Sequence, residues 1–276
     1  MRNRILSTAA LWLLVWLDLR WLHTAGAVAL VVLMAVLTLR EFYQLQAAAG
    51  RAPFARLGML FGGLIVAAPW LGVRFGWDES RLVPIAVLIF CIRILGERKP
   101  EQRVDSLASS LFGLIFVAML FQYYVRLITP VPNDPLGANA RLILCVWIVA
   151  AAKFCDTGAL LGGMVAGRHA LAPTISPKKT WEGAVAGVLV SMLVGGLLAW
   201  AARNQIGAVL SPVRGALLAA PVAAAAIVSD LIESVLKRQA DRKDSGTTIP
   251  GIGGIFDVTD SLLLAAPVGY YLLGLH

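Results

Sequence analysis

Charge is scarce in this chain. Asp, Glu, Lys and Arg make up 14% of its 276 residues, against about 25% in an ordinary soluble domain. So few charges cannot coat a 29.4 kDa globule, which excludes a soluble domain and a charge-rich disordered chain alike. Acids are scarcer than bases, 16 against 24, leaving a formal net charge of +8. A basic surplus can signal nucleic acid, but in a membrane protein it marks the cytoplasmic loops, where Lys and Arg collect. No nucleic-acid partner is expected. Cysteine occurs three times, and Cys91, Cys145 and Cys155 all lie in apolar runs. An odd number so placed makes neither a disulfide framework nor a thiolate metal site.

What the chain has instead is apolar sequence, 59% of its residues, where roughly 45–50% is usual. At about 20 residues per crossing, that is enough for about eight membrane spans, and it excludes a single-anchor protein. The apolar runs are Ile5–Leu17, Ala25–Leu39, Leu57–Val73, Leu82–Leu95, Leu107–Ile128, Leu142–Val165, Ala184–Ala202, Ala216–Ile232 and Ile252–Leu275. The expected fold class is therefore all-α, a polytopic transmembrane helical bundle of about nine spans. The first and fourth runs are short for a full crossing. The first resembles a signal peptide, but Asp18, Arg20 and Trp21 sit where a cleavage region should be small and neutral. A retained helix is the better reading.

With the N-terminus inside, fifteen Lys and Arg fall in inside loops and seven in outside loops. That asymmetry predicts N-in, C-out. It puts the segments 167–182 and 233–250 on the cytoplasmic side.

An intramembrane charge costs several kcal/mol and calls for an account. The C-terminal half holds Lys153 and Asp156 in one run, Asp230 and Glu233 at the end of another, and Asp257 and Asp260 early in the last. The pairs 230/233 and 257/260 are spaced i, i+3, which projects each pair from one helix face. Converging carboxylates repel unless a cation lies between them, and a hard divalent ion bound through oxygens meets that need. Structural ion pairs to Lys153 or Arg238 are the plainer alternative.

Two loops add positive charge. Ser176-Pro177-Lys178-Lys179-Thr180-Trp181-Glu182-Gly183 places two Lys between hydroxyls at a helix start, where free amides and ammonium groups suit phosphate. Lys237-Arg238-Gln239-Ala240-Asp241-Arg242-Lys243-Asp244 is a basic juxtamembrane patch that could also attract anionic headgroups. The glycine-rich turn at 250–254 brings backbone close to whatever precedes Asp257. Each feature alone is weak. Together they describe phosphoryl or nucleotidyl transfer to a lipid-embedded acceptor.

The run Ser234-x-x-Lys237-Arg238-x4-Lys243-Asp244-x5-Pro250-Gly251-Ile252-Gly253-Gly254-x-x-Asp257-x-x-Asp260-Ser261 closely resembles the C-terminal signature of phosphatidate cytidylyltransferases (CDP-diacylglycerol synthases). Asp156-Thr157-Gly158-Ala159, the segment 176–183 and Asp230-Leu231-Ile232-Glu233-Ser234 share the likeness. It is detailed over residues 150–265. Further upstream it rests on a run of helices with Arg40-Glu41-Phe42-Tyr43 after the second. Two positions depart from the family pattern: Ile252 stands where His is usual, and Val258 where Arg is usual.

The resemblance implies a nucleotidyltransferase converting CTP and phosphatidate to CDP-diacylglycerol and pyrophosphate in phospholipid synthesis, an integral membrane protein (of the inner, cytoplasmic membrane in a bacterial cell) with a cytoplasmic site. It implies Asp230, Asp257 and Asp260 as ligands of Mg2+ and Asp230, Asp257 and Lys237 as catalytic. In the substrate-binding set Lys178, Lys179, Arg238 and Lys243, with Lys237, would clamp the triphosphate and the lipid phosphate, and Ser176, Thr180 and Asp244 would orient those groups. Residues 1–140 would be N-terminal transmembrane helices and 141–276 the catalytic region of one continuous membrane domain. A homodimer is compatible with the sequence. Two alternatives stay open: a CTP-dependent enzyme for another lipid phosphate or a lipid alcohol, and an ion-coupled transporter. The transporter reading calls for broken helices in related halves, and the sequence shows no such repeat.

Overall fold

The computed structural model describes residues 23–77, 79–96, 102–130, 136–249 and 253–275. The run Ile5–Leu17, and with it the choice between leader and retained helix, lies outside those residues. So do Pro250, Gly251 and Ile252 of the glycine-rich turn. The described elements are α1 (His23–Ala48), α2 (Ala55–Phe75), a 3-10 turn (Glu79–Arg81), α3 (Leu82–Leu95) and α4 (Arg103–Gly113). The last passes through a π-helical segment (Leu114–Ala118) into α5 (Met119–Ile128). Then come α6 (Ala138–Ala166), β1 (Ala170–Ala172), β2 (Ser176–Thr180), α7 (Trp181–Ala201), α8 (Arg203–Ile206), α9 (Pro212–Gln239), α10 (Ile255–Thr259) and α11 (Leu262–Leu273).

Among the described residues six helices are long and apolar enough to cross a membrane: α1, α2, α4–α5 taken together, α6, α7 and α9. The fold is helical and membrane-like, and the described residues account for six of the nine expected spans. Helix α3 has 14 residues, too few for a full crossing at 1.5 Å per residue. The last apolar run is divided, because α10 ends at Thr259 and α11 begins at Leu262.

The chain forms two compact units, Met1–Thr129 with Leu236–Thr259, and Pro130–Val235 with Asp260–His276. In the first, α1 packs its aromatic turn inward. Phe42 and Tyr43 are buried, and the Phe42 ring lies 5.6 Å from Phe112 and 6.3 Å from Phe256. The Tyr43 hydroxyl finds a buried partner, donating to the Ser110 carbonyl at 3.0 Å, as a buried phenol must.

In the second unit α7 shows why its composition works in lipid. Gly183, Gly187, Ser191, Gly195 and Ala199 form a buried stripe at i, i+4. A Cβ on Gly187 would lie 2.6 Å from the Cys155 carbonyl of α6, so the small residues permit close helix contact. Ser191 Oγ donates to Ala151 O at 2.8 Å, and Trp147 Nε1 donates to Gly195 O at 3.0 Å. The opposite stripe, Trp181, Val185, Leu189, Leu193, Leu197 and Trp200, is exposed. It runs about 28 Å along the helix, close to the roughly 30 Å of a hydrocarbon core, with a Trp at each end where the interface would lie.

One element departs from an all-helical expectation. Residues 170–180 form an antiparallel hairpin pairing Ala170 with Thr180 and Ala172 with Ser176, with a register irregularity between.

Candidate active site

The signature loop belongs to the first unit. Helix α9 ends in a Schellman motif: Arg242 N bonds Lys237 O at 2.9 Å and Asp241 N bonds Arg238 O at 3.1 Å. Asp241 takes the left-handed position, φ 52°, which Asp tolerates better than most residues. The chain turns sharply there, leaving Arg238, Arg242, Lys243 and Asp244 exposed and burying Ser245.

Helix α10 then begins at Ile255 behind Gly254, which has no side chain with which to cap it. Two carboxylates do so instead. Asp257 Oδ2 accepts from Gly254 N at 2.8 Å, the return bond of a capping box. Glu41 Oε2, from α1, accepts from Phe256 N at 2.9 Å. Gly254 is required by this crowding, since a Cβ would fall on Ser245 Oγ and Glu41 Oε2. Asp257 also accepts from Lys237 Nζ at 2.9 Å and from Ser245 N at 2.9 Å. Ser245 Oγ lies 2.9 Å from both Asp257 Oδ2 and Glu41 Oε2, and its single proton serves one of them at a time. Asp257 is on α10, outside the six spanning helices. Burial pushes its carboxyl up, but the Lys237 ammonium and the amides of Gly254 and Ser245 outweigh burial and hold it below its ordinary value.

The second unit holds the remaining acids. Asp230 and Glu233 lie one turn apart on α9, as their spacing predicts, and Asp260 joins them from the turn before α11. Each offers one oxygen within 4.8 Å of the other two. Glu233 is wholly buried and Asp260 is 8% exposed. Asp260 is not on α10, so 257/260 is not a pair on one helix face; Asp260 is held locally. Its carbonyl accepts from Ser229 Oγ and its Oδ1 from Ser261 N at 2.6 Å.

Lysines answer part of this negative charge. Lys153 Nζ lies 3.2 Å from Asp156 Oδ2 and 3.6 Å from Asp260 Oδ1, and it donates to Ser261 Oγ at 2.7 Å. Ser261 Oγ donates onward to Asp156 Oδ2 at 2.8 Å. Lys179 of β2 pairs with Asp230. Because successive side chains of a strand point to opposite faces, Lys178 is turned away and exposed. The structure thus brings Lys179, Asp230 and Asp260 into one group with Glu233, and Lys237 and Asp257 into another with Ser245. Thr180 caps α7, accepting from Gly183 N at 3.1 Å, and Ser176 opens β2. Lysine ion pairs and clustered carboxylates therefore occur together.

Three residues gain roles that the motif reading left unassigned: Glu41, Glu233 and Glu182. The last accepts from the amides of Arg168 and His169 at 3.1 and 3.2 Å and faces His169 Nδ1 at 2.5 Å, pinning the hairpin to the start of α7.

The Asp230, Glu233 and Asp260 cluster fits a divalent cation. Its donors are hard carboxylate oxygens. Those oxygens lie within 4.8 Å of one another, near enough for one oxygen-preferring cation to gather them. Buried acids also need positive charge nearby to stay ionised.

A family model described as Cytidylyltransferase family matches residues 2–276. The chain belongs to the cytidylyltransferase family. It is 32% identical over 274 residues to the phosphatidate cytidylyltransferase of Synechocystis sp., covering 90% of this chain and 87% of that one. It is 31% identical to phosphatidate cytidylyltransferase 5, chloroplastic, of Arabidopsis thaliana, over 93% of this chain and 67% of the relative. With the phosphatidate cytidylyltransferase of Rickettsia bellii it shares 32% over 214 residues, 77% of this chain and 88% of that one.

Proposed function

We propose that Asp230, Glu233 and Asp260 hold the divalent cation of a reaction in which phosphatidate attacks CTP. The chain is a membrane nucleotidyltransferase that converts CTP and phosphatidate to CDP-diacylglycerol and pyrophosphate. A phosphate oxygen of phosphatidate forms a bond to the α-phosphorus of CTP, and the bond from that phosphorus to the bridging β-oxygen breaks. The nucleophile is already anionic at pH 7, so no general base is required. The obstacle is the approach of two anions, which positioned positive charge overcomes.

Mg2+ bound at the cluster would supply that charge against the triphosphate. Lys179, placed beside Asp230, adds an ammonium at the same point. Within its own unit Lys237 is fixed by Asp257 beside the exposed Arg238 and Lys243, cations suited to the anionic groups of nucleotide or lipid, and Asp244 would orient those cations. Lys178, Ser176 and Thr180 shape the hairpin beside Lys179. In this reading Asp257 orders Lys237 and the loop rather than ligating the cation. The protein is integral to the cytoplasmic membrane with both loops facing the cytoplasm, following its cation asymmetry.

The observation that carries the proposal is the convergence of three carboxylates on one point, in a chain of this family. Its test is incubation of the purified protein with cytidine-labelled CTP, phosphatidate and Mg2+, followed by lipid extraction. Label should enter the lipid phase, and EDTA should stop it. No transfer to lipid, or transfer indifferent to chelation, would refute the reading.

A further inference from the structure

We infer that Glu41, on the first described helix, is a positioning residue that sets the signature loop and α10 for catalysis. The inference rests on the proposed function only in taking that loop and α10 as working parts of the site. Glu41 is 1% exposed, more than 200 residues from its partners in sequence, and yet it gathers three donors from one short stretch. They are Ser245 Oγ at 2.9 Å, Phe256 N at 2.9 Å and Thr248 Oγ1.

Each bond fixes a different part of the loop. Phe256 N is one of the free amides at the start of α10, so Glu41 supplies from α1 the cap that Gly254 cannot. Thr248 ties down the far end of the 241–248 turn. Ser245 stands between Glu41 and Asp257, donating to one and backed by the other. The glycines on either side are shaped to admit the carboxylate: a Cβ on Gly246 would stand 2.6 Å from Glu41 Oε1, and one on Gly254 would strike Oε2. One turn earlier on α1, Thr38 Oγ1 meets Thr259 Oγ1 at 2.9 Å, so α1 grips α10 at both ends.

A side chain that only filled space would not need a buried carboxylate surrounded by donors, since burial of such a group is costly without them. The geometry instead asks for oxygen acceptors. Gln supplies one amide oxygen for Phe256 N and Ser245, and its NH2 can donate to Thr248 Oγ1. Ala supplies nothing.

The test compares E41A, E41Q and T248V with the wild-type protein in detergent, by amide hydrogen exchange and by labelled-CTP turnover. E41A should lower kcat about 100-fold, the scale of a displaced reacting group, with KM for CTP within about threefold. Exchange should quicken at residues 245–249 and 253–257 and stay unchanged in α6 and α7. E41Q should recover to within about fivefold of wild type, the equivalent of one hydrogen bond. Wild-type turnover and loop protection in E41A would overturn the inference, as would E41Q as damaged as E41A. If E41A does not yield folded protein, T248V decides: local loosening at 245–249 with reduced kcat supports the role, and unchanged exchange overturns it. Exchange needs no substrate. A wild-type chain inactive on phosphatidate, with a loop that E41A still releases, would defeat the proposed reaction and leave Glu41 in its role.

Discussion

Lys153 Nζ lies 2.7 Å from Ser261 Oγ, joining the middle of α6 to the residue that opens α11. Ser261 passes the contact on to Asp156 at 2.8 Å, so one hydroxyl both accepts from an ammonium and donates to a carboxylate. Ser261→Ala removes both bonds and leaves charged groups less satisfied. It should lower stability by about 1–3 kcal/mol, read as a fall in the thermal midpoint in detergent. A midpoint within error of wild type would show that the hydroxyl is dispensable.

The strand alternation of β2 separates two adjacent lysines. Lys179 pairs with Asp230 while Lys178 is exposed. Lys179→Met should cost about 100-fold or more in turnover, in the range of a lost transition-state donor, and Lys178→Met less than about tenfold. Equal losses would contradict the assignment of Lys179 alone to the acidic cluster.

Asp257 makes stability depend on pH in a definite direction. Its carboxyl is held below the ordinary value, so its ionised form contributes stability above that ordinary value. The contribution fades as pH falls through the folded value. Asp257→Asn has nothing to titrate there. The difference in thermal midpoint between wild type and Asp257→Asn should therefore be constant near neutrality and shrink below about pH 4. A difference that grew on acidification would mean that burial prevails over Lys237.

The two basic segments are expected on one side of the membrane. Cysteines at Thr174, in the hairpin, and Arg242, in the signature loop, should both resist an impermeant thiol reagent in intact cells and react after permeabilisation. Opposite sidedness would break the N-in, C-out assignment.

The sequence revealed some of this site more readily than the rest. Asp230 and Glu233 were legible because i, i+3 spacing fixes a shared helix face wherever the helix continues. The same rule failed for Asp257 and Asp260, because α10 stops at Thr259 and Asp260 turns toward Ser229 and Ser261. The hairpin was hidden because Pro173 and Pro177 read as loop residues, and a first strand of three residues gives no alternating pattern to count. Glu41 was visible only as part of a motif after the second apolar run. Its partners lie 204 to 215 positions away, and no local periodicity reports a contact of that range.

Asp230, Glu233 and Asp260 are expected to form the cation site. Titration of the purified protein with Mn2+, followed by electron paramagnetic resonance of the free ion, tests it directly. Asp230→Asn, Glu233→Gln and Asp260→Asn should each weaken binding at least about tenfold, while Asp257→Asn should bind as wild type does. Undiminished affinity in Glu233→Gln, or loss of binding in Asp257→Asn alone, would contradict the account and return the cation to Asp257.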